Sequence, residues 1–250
     1  MAVKILPLYL LYAAGFSLTL TRRGFRAGAT PIIRETGKPP ERILIVGATG
    51  GTGRELVRQA LERGYSVTAF VRNPARLPIQ HPQLTVKQGD VLDYASVEAA
   101  VRDQDAVVSA LGHKRFFYPN RIQSDGISNI LRAMKAHGVR RLICETALGL
   151  GDSVGRLGPV ATLFAVPVIL PFYFWDKARQ EQLIAASDRE WVIVRPATLN
   201  NKPARGSYRH GPEAGSFWGV PRISRADVAD FMLEQLTSNT YLGRAPGLSW

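Results

Sequence analysis

The chain has 250 residues, of which 46% are hydrophobic and 21% charged, proportions that exclude a wholly disordered protein and allow a sizeable core. Its single cysteine, Cys144, excludes an intramolecular disulfide framework and multi-cysteine metal cages, and its four histidines show no metal-ligand spacing, so no metal site is predicted. The net charge of +12 comes from scattered basic residues without a nucleic-acid-binding motif, which favours an anionic small molecule or an anionic membrane surface over nucleic acid.

The chain begins with an apolar segment. Ile5–Thr21 is an uncharged run at the lower length limit for spanning a bilayer, and Arg22, Arg23 and Arg26 follow it. Three interpretations remain open: a membrane anchor, a cleaved secretory or transit peptide, and an apolar leader or a start codon placed too early. The positive charges after the run favour a cytoplasmic location, with the run as a tether if it is an anchor. A polar, proline-containing linker completes residues 1–40, and the folded domain is predicted over 41–250.

Short apolar runs alternate with helical patterns in the rest of the chain. Strands are predicted at 43–47, 67–71, 84–88, 106–111, 141–147 and 191–196, and helices at 52–64, 95–103, 122–137, 173–187 and 225–237. Apolar runs with little polar alternation are typical of strands buried on both faces of a parallel sheet. The alternation of strands and helices therefore predicts one α/β domain, a Rossmann-type doubly wound parallel sheet with small insertions on the substrate side.

A glycine-rich turn joins the first predicted strand to the first helix of this domain. Its sequence, GATGGTG, has the spacing G-x-x-G-x-x-G rather than the G-x-G-x-x-G of the standard dinucleotide fold. Glycines let the chain turn tightly and let backbone N–H groups approach a pyrophosphate. A nucleotide site is therefore predicted here, with contacts from Gly47, Thr49, Gly50, Gly51, Thr52 and Gly53.

The residue at the end of the second predicted strand indicates which nucleotide binds. An acidic residue at this position would accept the ribose 2′-hydroxyl of NAD. This chain instead has Arg72, nineteen residues after Gly53, in the sequence FVRNPAR. A guanidinium can bind a 2′-phosphate with two hydrogen bonds, so NADPH is predicted to be preferred over NADH.

Several motifs together resemble one protein family. GATGGTG at the first turn, FVRNPARL after the second strand and KQGDVLD after the third resemble atypical short-chain dehydrogenase/reductases of the NmrA-like NAD(P)-binding type. DKARQEQLIAASDREWVIVRPATL and RISRADVADFMLEQL resemble the flavin reductase/biliverdin-IXβ reductase branch of that group. The resemblance covers about residues 42–250 and implies a Rossmann fold that holds NADP across the carboxyl ends of the strands. It further implies that the adenine is flanked by Asp90 and Val91, the cofactor ribose and phosphates by Leu111 and Gly112, and the nicotinamide by Pro196 and Ala197.

Candidate catalytic groups follow the fifth predicted strand. Tyr173 and Lys177 form a Y-x-x-x-K pair on one face of a predicted helix. In the short-chain dehydrogenase family this lysine holds the nicotinamide ribose, and its ammonium favours the phenolate so that the tyrosine can donate a proton. The family usually has a serine at the end of the fifth strand. Here Thr146 is the substitute, with Glu145 beside it as a departure from the family pattern.

The predicted function is NADPH-dependent hydride transfer to a flat conjugated acceptor, a small molecule such as a flavin, quinone or tetrapyrrole. The uncharged insert Leu157–Trp175 is interpreted either as core or dimer packing or as an apolar lid over the acceptor. Trp175, Phe217 and Trp218 are predicted as further stacking surfaces. Two alternatives from other classes remain: an NmrA-like regulator that binds NADP without catalysis, and an assembly factor at a membrane. The oligomeric state is not predicted.

Overall fold

A computed structural model describes residues 2–23, 39–113 and 118–250. The helices are α1 (Ala2–Arg23), α2 (Gly51–Glu62), α3 (Tyr94–Val101), α4 (Ile122–Ala136), α5 (Pro171–Ala185) and α6 (Arg225–Glu234). The strands are β1 (Arg42–Val46), β2 (Ser66–Val71), β3 (Leu84–Gln88), β4 (Ala106–Ser109), β5 (Arg141–Glu145), β6 (Glu190–Pro196), β7 (Thr198–Asn200), β8 (Arg209–Gly211), β9 (Arg222–Ser224) and β10 (Gly247–Ser249).

The main sheet has the strand order β3-β2-β1-β4-β5-β6-β10-β8. The strands from β3 to β10 in this order pair in parallel, and only β8 pairs antiparallel, with β10. The order reverses between β1 and β4, which is the point where doubly wound sheets bind ligands outside the carboxyl ends of their strands. The predicted Rossmann-type fold is confirmed.

Helices cover both faces of the sheet and divide its core into two apolar clusters. On one face, α2 and α6 pack on the sheet through side chains such as Leu56, Val57 and Phe231. On the other face, α3 and α4 contribute Val97 and Ile127. The central strands are buried on both faces, as their unbroken apolar sequences predict.

Two predicted strands are shorter in the structure than in the sequence prediction. β4 ends at Ser109 rather than residue 111, and β5 ends at Glu145 rather than residue 147. Directly beyond these ends, the N–H groups of Ala110 and Thr146 still donate to the Val46 and Val194 carbonyls of the neighbouring strands. The chain therefore stays hydrogen-bonded to the sheet directly beyond these ends, at the carboxyl edge that borders the crevice of the switch point.

The N-terminal segment forms α1, which lies against the apolar insert. Phe16 and Leu20 are buried in one of the two apolar clusters, and the Phe16 ring stacks on Trp175 with centroids 5.8 Å apart. The Tyr12 hydroxyl donates a hydrogen bond to the Pro167 carbonyl at 2.8 Å. In the part of the chain that the structure describes, no helix combines the length and apolarity needed to cross a membrane. The division of the chain at residues 40 and 41 stays a prediction.

The insert itself contains a π-helix, Ala161–Ile169, that precedes α5. Proline at position 167 inside this helix lacks the N–H that a regular helical bond requires, so the segment cannot continue as an ordinary α-helix. Leu163, Phe164 and Val168 remain partly exposed on its outer side. The insert therefore packs partly on α1 and partly faces solvent.

Candidate cofactor and active site

The glycine-rich turn has the geometry of a phosphate-binding loop. Gly47 has a φ of +82°, and a Cβ added to it would lie 2.5 Å from the Ala110 carbonyl oxygen at the end of β4. A Cβ on Gly53 would overlap the Gly47 carbonyl oxygen, so only glycine lets α2 begin this close to β1. Gly50 precedes α2 without a side-chain cap, which leaves the first N–H groups of the helix for an anion.

The end of β2 carries exposed arginines. Arg72 follows the last residue of the strand and is exposed. Arg54 in the first turn of α2 reaches this segment, and its Nη2 donates to the Arg76 carbonyl oxygen at 3.1 Å. Sequence analysis identified Arg72 but missed Arg54 and Arg76, because the approach of α2 to the segment after β2 is a tertiary contact. The three residues together form a basic edge at the carboxyl end of β2.

The residues implied for the adenine and ribose lie beyond β3 and β4. Asp90 is exposed and accepts a hydrogen bond from the Leu92 N–H, while Val91 is buried. The Val91 carbonyl accepts from Asn129 Nδ2 of α4 at 3.0 Å. Leu111 and Gly112 follow β4 at the same edge of the sheet. All four residues thus lie beyond the carboxyl ends of β3 and β4, and their contacts with a cofactor stay a prediction.

Tyr173 and Lys177 meet the ends of β4 and β5. A Cβ added to Gly112 would lie 3.9 Å from the Tyr173 hydroxyl oxygen. Lys177 is buried, its Nζ donates to the Glu145 carbonyl oxygen at 3.3 Å, and this Nζ lies 5.4 Å from the centroid of the Tyr173 ring. The two residues that sequence spacing predicted to pair thus lie together at the crevice. The Lys177 ammonium bonds to the Glu145 backbone and lies near the Tyr173 ring.

Thr146 has a different environment from the other two candidate catalytic residues. Its hydroxyl donates to Glu181 Oε1 at 2.7 Å. Glu181 is fully buried and holds Arg195 through two bonds of 2.9 and 2.7 Å, and Asp152 also pairs with Arg195. A buried arginine requires such partners. The Thr146 hydroxyl is therefore engaged in a structural ion-pair network.

The residues implied for the nicotinamide lie at the end of the sixth strand of the chain. Pro196 and Ala197 are buried at the end of β6, and the Pro196 carbonyl accepts from the Leu148 N–H at 3.0 Å.

Burial raises the pKa of the Cys144 thiol to about 12. Because the thiolate is the reactive form, Cys144 is a core residue as its strand position predicts.

Glu145 is a buried carboxyl directly below the phosphate-binding loop. The Thr52 hydroxyl, in the first turn of α2, donates to Glu145 Oε1 at 3.2 Å. Burial raises the pKa of Glu145 above its ordinary value of 4.5, and the nearby Lys177, Thr52 and Arg225 oppose that shift only in part. The Glu145 carboxyl therefore releases its proton at a higher pH than an exposed glutamate does.

We expect Glu145→Gln to remove a pH dependence of stability. The folded state holds a proton on Glu145 above pH 4.5 that the unfolded state has released, so wild-type stability falls as pH rises through the raised pKa. One such proton contributes a slope of at most about 1.4 kcal/mol per pH unit. Chemical unfolding of both proteins from pH 4 to 9 measures the difference. Parallel stability profiles for the two proteins would show that Glu145 holds no such proton.

Comparison with known proteins places the chain among nucleotide-binding proteins. Residues 47–239 match the model of the NAD(P)H-binding family. The uncharacterized chloroplastic protein At2g34460 of Arabidopsis thaliana is 29% identical over 211 residues, which are 81% of this chain and 74% of that protein. The 3-diazoavenalumate denitrifying reductase of a Streptomyces species is 29% identical over 191 residues, 69% of this chain and 60% of that protein.

A solved structure shows the same fold. A short-chain dehydrogenase/reductase from Veillonella parvula in complex with NADP superposes with a TM-score of 0.71 at 21% identity, covering 84% of this chain and 95% of that one. The family match spans most of the chain and includes the glycine-rich turn, Arg72, Tyr173 and Lys177. The resemblance predicted from the motifs is therefore confirmed, and the residues present fit a nicotinamide dinucleotide. The chain belongs to the NAD(P)H-binding family.

Proposed function

We propose that the protein is an NADPH-dependent reductase that transfers hydride to a flat conjugated acceptor such as a flavin, quinone or tetrapyrrole. The observation that carries this proposal is the meeting of Tyr173 and Lys177 with the ends of β4 and β5 at the switch point of a dinucleotide-binding sheet. The 3-diazoavenalumate denitrifying reductase among the relatives supports reductase chemistry.

The preference for NADPH rests on the basic edge beyond β2. Arg72 and Arg76 are exposed just after the strand end where the ribose 2′ position is expected, and the Arg54 guanidinium reaches the same segment. The 2′-phosphate of NADPH would accept charge-assisted hydrogen bonds there. The 2′-hydroxyl of NADH would need a carboxylate to accept its hydrogen bond, and these three arginines do not supply one.

In the proposed reaction, the bound nicotinamide supplies hydride. The buried Lys177, whose Nζ donates to the Glu145 carbonyl, would hold the nicotinamide ribose. Tyr173 donates a proton when the acceptor is a carbonyl compound, and a flavin acceptor does not require it. The Thr146 hydroxyl donates to Glu181, so we assign no step of the proton transfer to it.

The acceptor side carries exposed apolar groups. Trp218 is 91% exposed and Phe217 is 52% exposed, on a segment that packs against Gly155 and Arg156. Exposed aromatic rings of this size are uncommon without a partner and can stack on a conjugated ring system. Trp175, by contrast, stacks on Phe16 of α1.

Steady-state oxidation of NADPH in the presence of flavins, quinones, biliverdin-type tetrapyrroles and ketones tests the proposal. A reductase of the proposed kind oxidises NADPH with at least one conjugated acceptor. Tight NADPH binding without turnover on any acceptor would instead support the second candidate, an NmrA-like regulator that senses the cofactor. The engagement of Thr146 by Glu181 favours this candidate, because it removes one hydroxyl from a short-chain dehydrogenase triad.

Membrane association through the N-terminal segment is a separate proposal, and a cytoplasmic location stays a prediction. Leu11, Tyr12 and Leu18 of α1 are at least half exposed next to the partly exposed insert, which provides apolar surface for a bilayer. If this surface tethers the protein, replacing the exposed Leu11 and Leu18 with aspartate should move it out of the membrane fraction of a lysate while NADPH binding is retained, because neither side chain belongs to the buried cluster. An intact full-length chain that stays out of the membrane fraction would contradict the tether.

A further inference from the structure

Arg225 lies over the amino end of α2, although it comes from a distant part of the sequence. It is the first residue of α6, and a Cβ added to Gly51 would overlap its Cδ and Nε and lie 3.3 Å from its Cζ. Gly51 is the first residue of α2 and the fifth of the glycine-rich turn. The Arg225 side chain therefore covers the backbone to which a pyrophosphate would bind.

The surrounding contacts fix the position of Arg225. Gln59 Nε2 of α2 donates to the buried Ala226 carbonyl of α6 at 2.9 Å, and Arg63 pairs with Asp230 further along the same two helices. Ser224 caps α6 by accepting from the Asp227 N–H. Because α6 is docked on α2 at several points, the start of α6 is held next to the start of α2.

The guanidinium itself is bound by a neutral partner. Arg225 Nη1 donates to Asn201 Oδ1 at 2.6 Å, and within the described ranges no carboxylate forms an ion pair with Arg225. Glu145, which accepts a hydrogen bond from Thr52 in the first turn of α2, is near enough for the positive charge of Arg225 to lower its pKa. The positive end of the α2 dipole and a guanidinium thus lie side by side, an arrangement that an anion in contact with both would stabilise.

We propose that Arg225, held by Asn201, is a cofactor-binding residue whose guanidinium contacts the pyrophosphate beside Gly51. This inference rests on the proposed nucleotide site and extends it, because it adds a contact from α6 to a loop that otherwise binds through backbone N–H groups. It also explains Gly51: any side chain there would displace the arginine rather than the loop.

Isothermal titration with three nucleotides tests this assignment. NADP and ADP contain a pyrophosphate or diphosphate, whereas adenosine 2′-monophosphate has none. For Arg225→Gln we expect the Kd of NADP and of ADP to rise about tenfold to a hundredfold, the range for losing a hydrogen bond between charged groups. The Kd of adenosine 2′-monophosphate should stay within about twofold of the wild-type value, since its phosphate lies at the basic edge beyond β2.

Arg222→Gln is the matched control, because Arg222 is an exposed arginine only three positions away on β9. It should leave all three affinities unchanged, while thermal melting confirms that both variants are folded. Gly51→Ala provides a second variant: its added methyl group should weaken NADP binding, and its effect should be smaller in the Arg225→Gln background.

Three outcomes overturn the inference in distinguishable ways. If the wild-type protein binds NADP and Arg225→Gln binds it equally well, Arg225 is not a cofactor-binding residue. The proposed function is unaffected by that result. An equal loss for all three nucleotides shows a general effect rather than a pyrophosphate contact. Wild-type protein that binds none of the nucleotides removes both the inference and the proposed cofactor site.

Discussion

Replacing Arg72 with glutamate should weaken NADPH binding by at least ~1.5–3 kcal/mol, the scale of a hydrogen bond between charged groups. The change removes a guanidinium from the basic edge beyond β2 and places a carboxylate against the 2′-phosphate. NADH should lose much less affinity, because its ribose 2′-hydroxyl can donate to the new carboxylate. Titration calorimetry with both cofactors measures the shift in preference directly.

Arg102→Glu is the control for this experiment. Arg102 is also an exposed arginine, but it follows α3 and precedes β4, at the amino edge of the sheet. The same change of charge there should leave the ratio of the two dissociation constants unaltered. A wild-type protein that binds NADPH and NADH equally well would show that Arg72 does not select the cofactor.

The strands and helices that position the site are largely readable from the sequence. β1, β2 and β4 to β6 are short apolar runs, and a strand buried on both faces requires that pattern. The short strands β7 to β10 were missed because three residues are too few to show a period. The packing of α1 on the insert was missed for another reason: two apolar segments show no sign in sequence that they face each other rather than lipid.

The candidate site also has one part that the sequence predicts and another that only the tertiary structure shows. The glycine-rich turn and the Tyr173–Lys177 pair are local patterns, so sequence spacing alone places each group on its element. The engagement of Thr146 depends on Glu181, Arg195 and Asp152, which come from three different segments. Arg225 is likewise brought to Gly51 only by the docking of α6 on α2. Such contacts require the tertiary structure.

Tyr173→Phe distinguishes a carbonyl acceptor from a flavin acceptor. It removes only the phenol hydroxyl, which lies near Gly112 at the crevice. With a carbonyl acceptor, loss of this proton donor should reduce kcat by ~10²–10⁴, the usual contribution of a general acid. With a flavin acceptor, kcat should change little. Tyr65→Phe, the same change on a partly buried tyrosine just before β2, controls for the loss of a hydroxyl and should leave both rates unaltered.

Lys177→Ala should behave differently from Tyr173→Phe with every acceptor. The ammonium that holds the nicotinamide ribose is lost, so the Kd of NADPH should rise and turnover should fall whether or not the acceptor needs a proton. Removal of this buried group also leaves the Glu145 carbonyl without its donor, so thermal melting must accompany the kinetics. Folded Tyr173 and Lys177 variants that both match wild type toward every acceptor would place the active site elsewhere. A defect confined to Lys177→Ala would instead indicate that Lys177 binds the cofactor while the acceptor takes its proton from water.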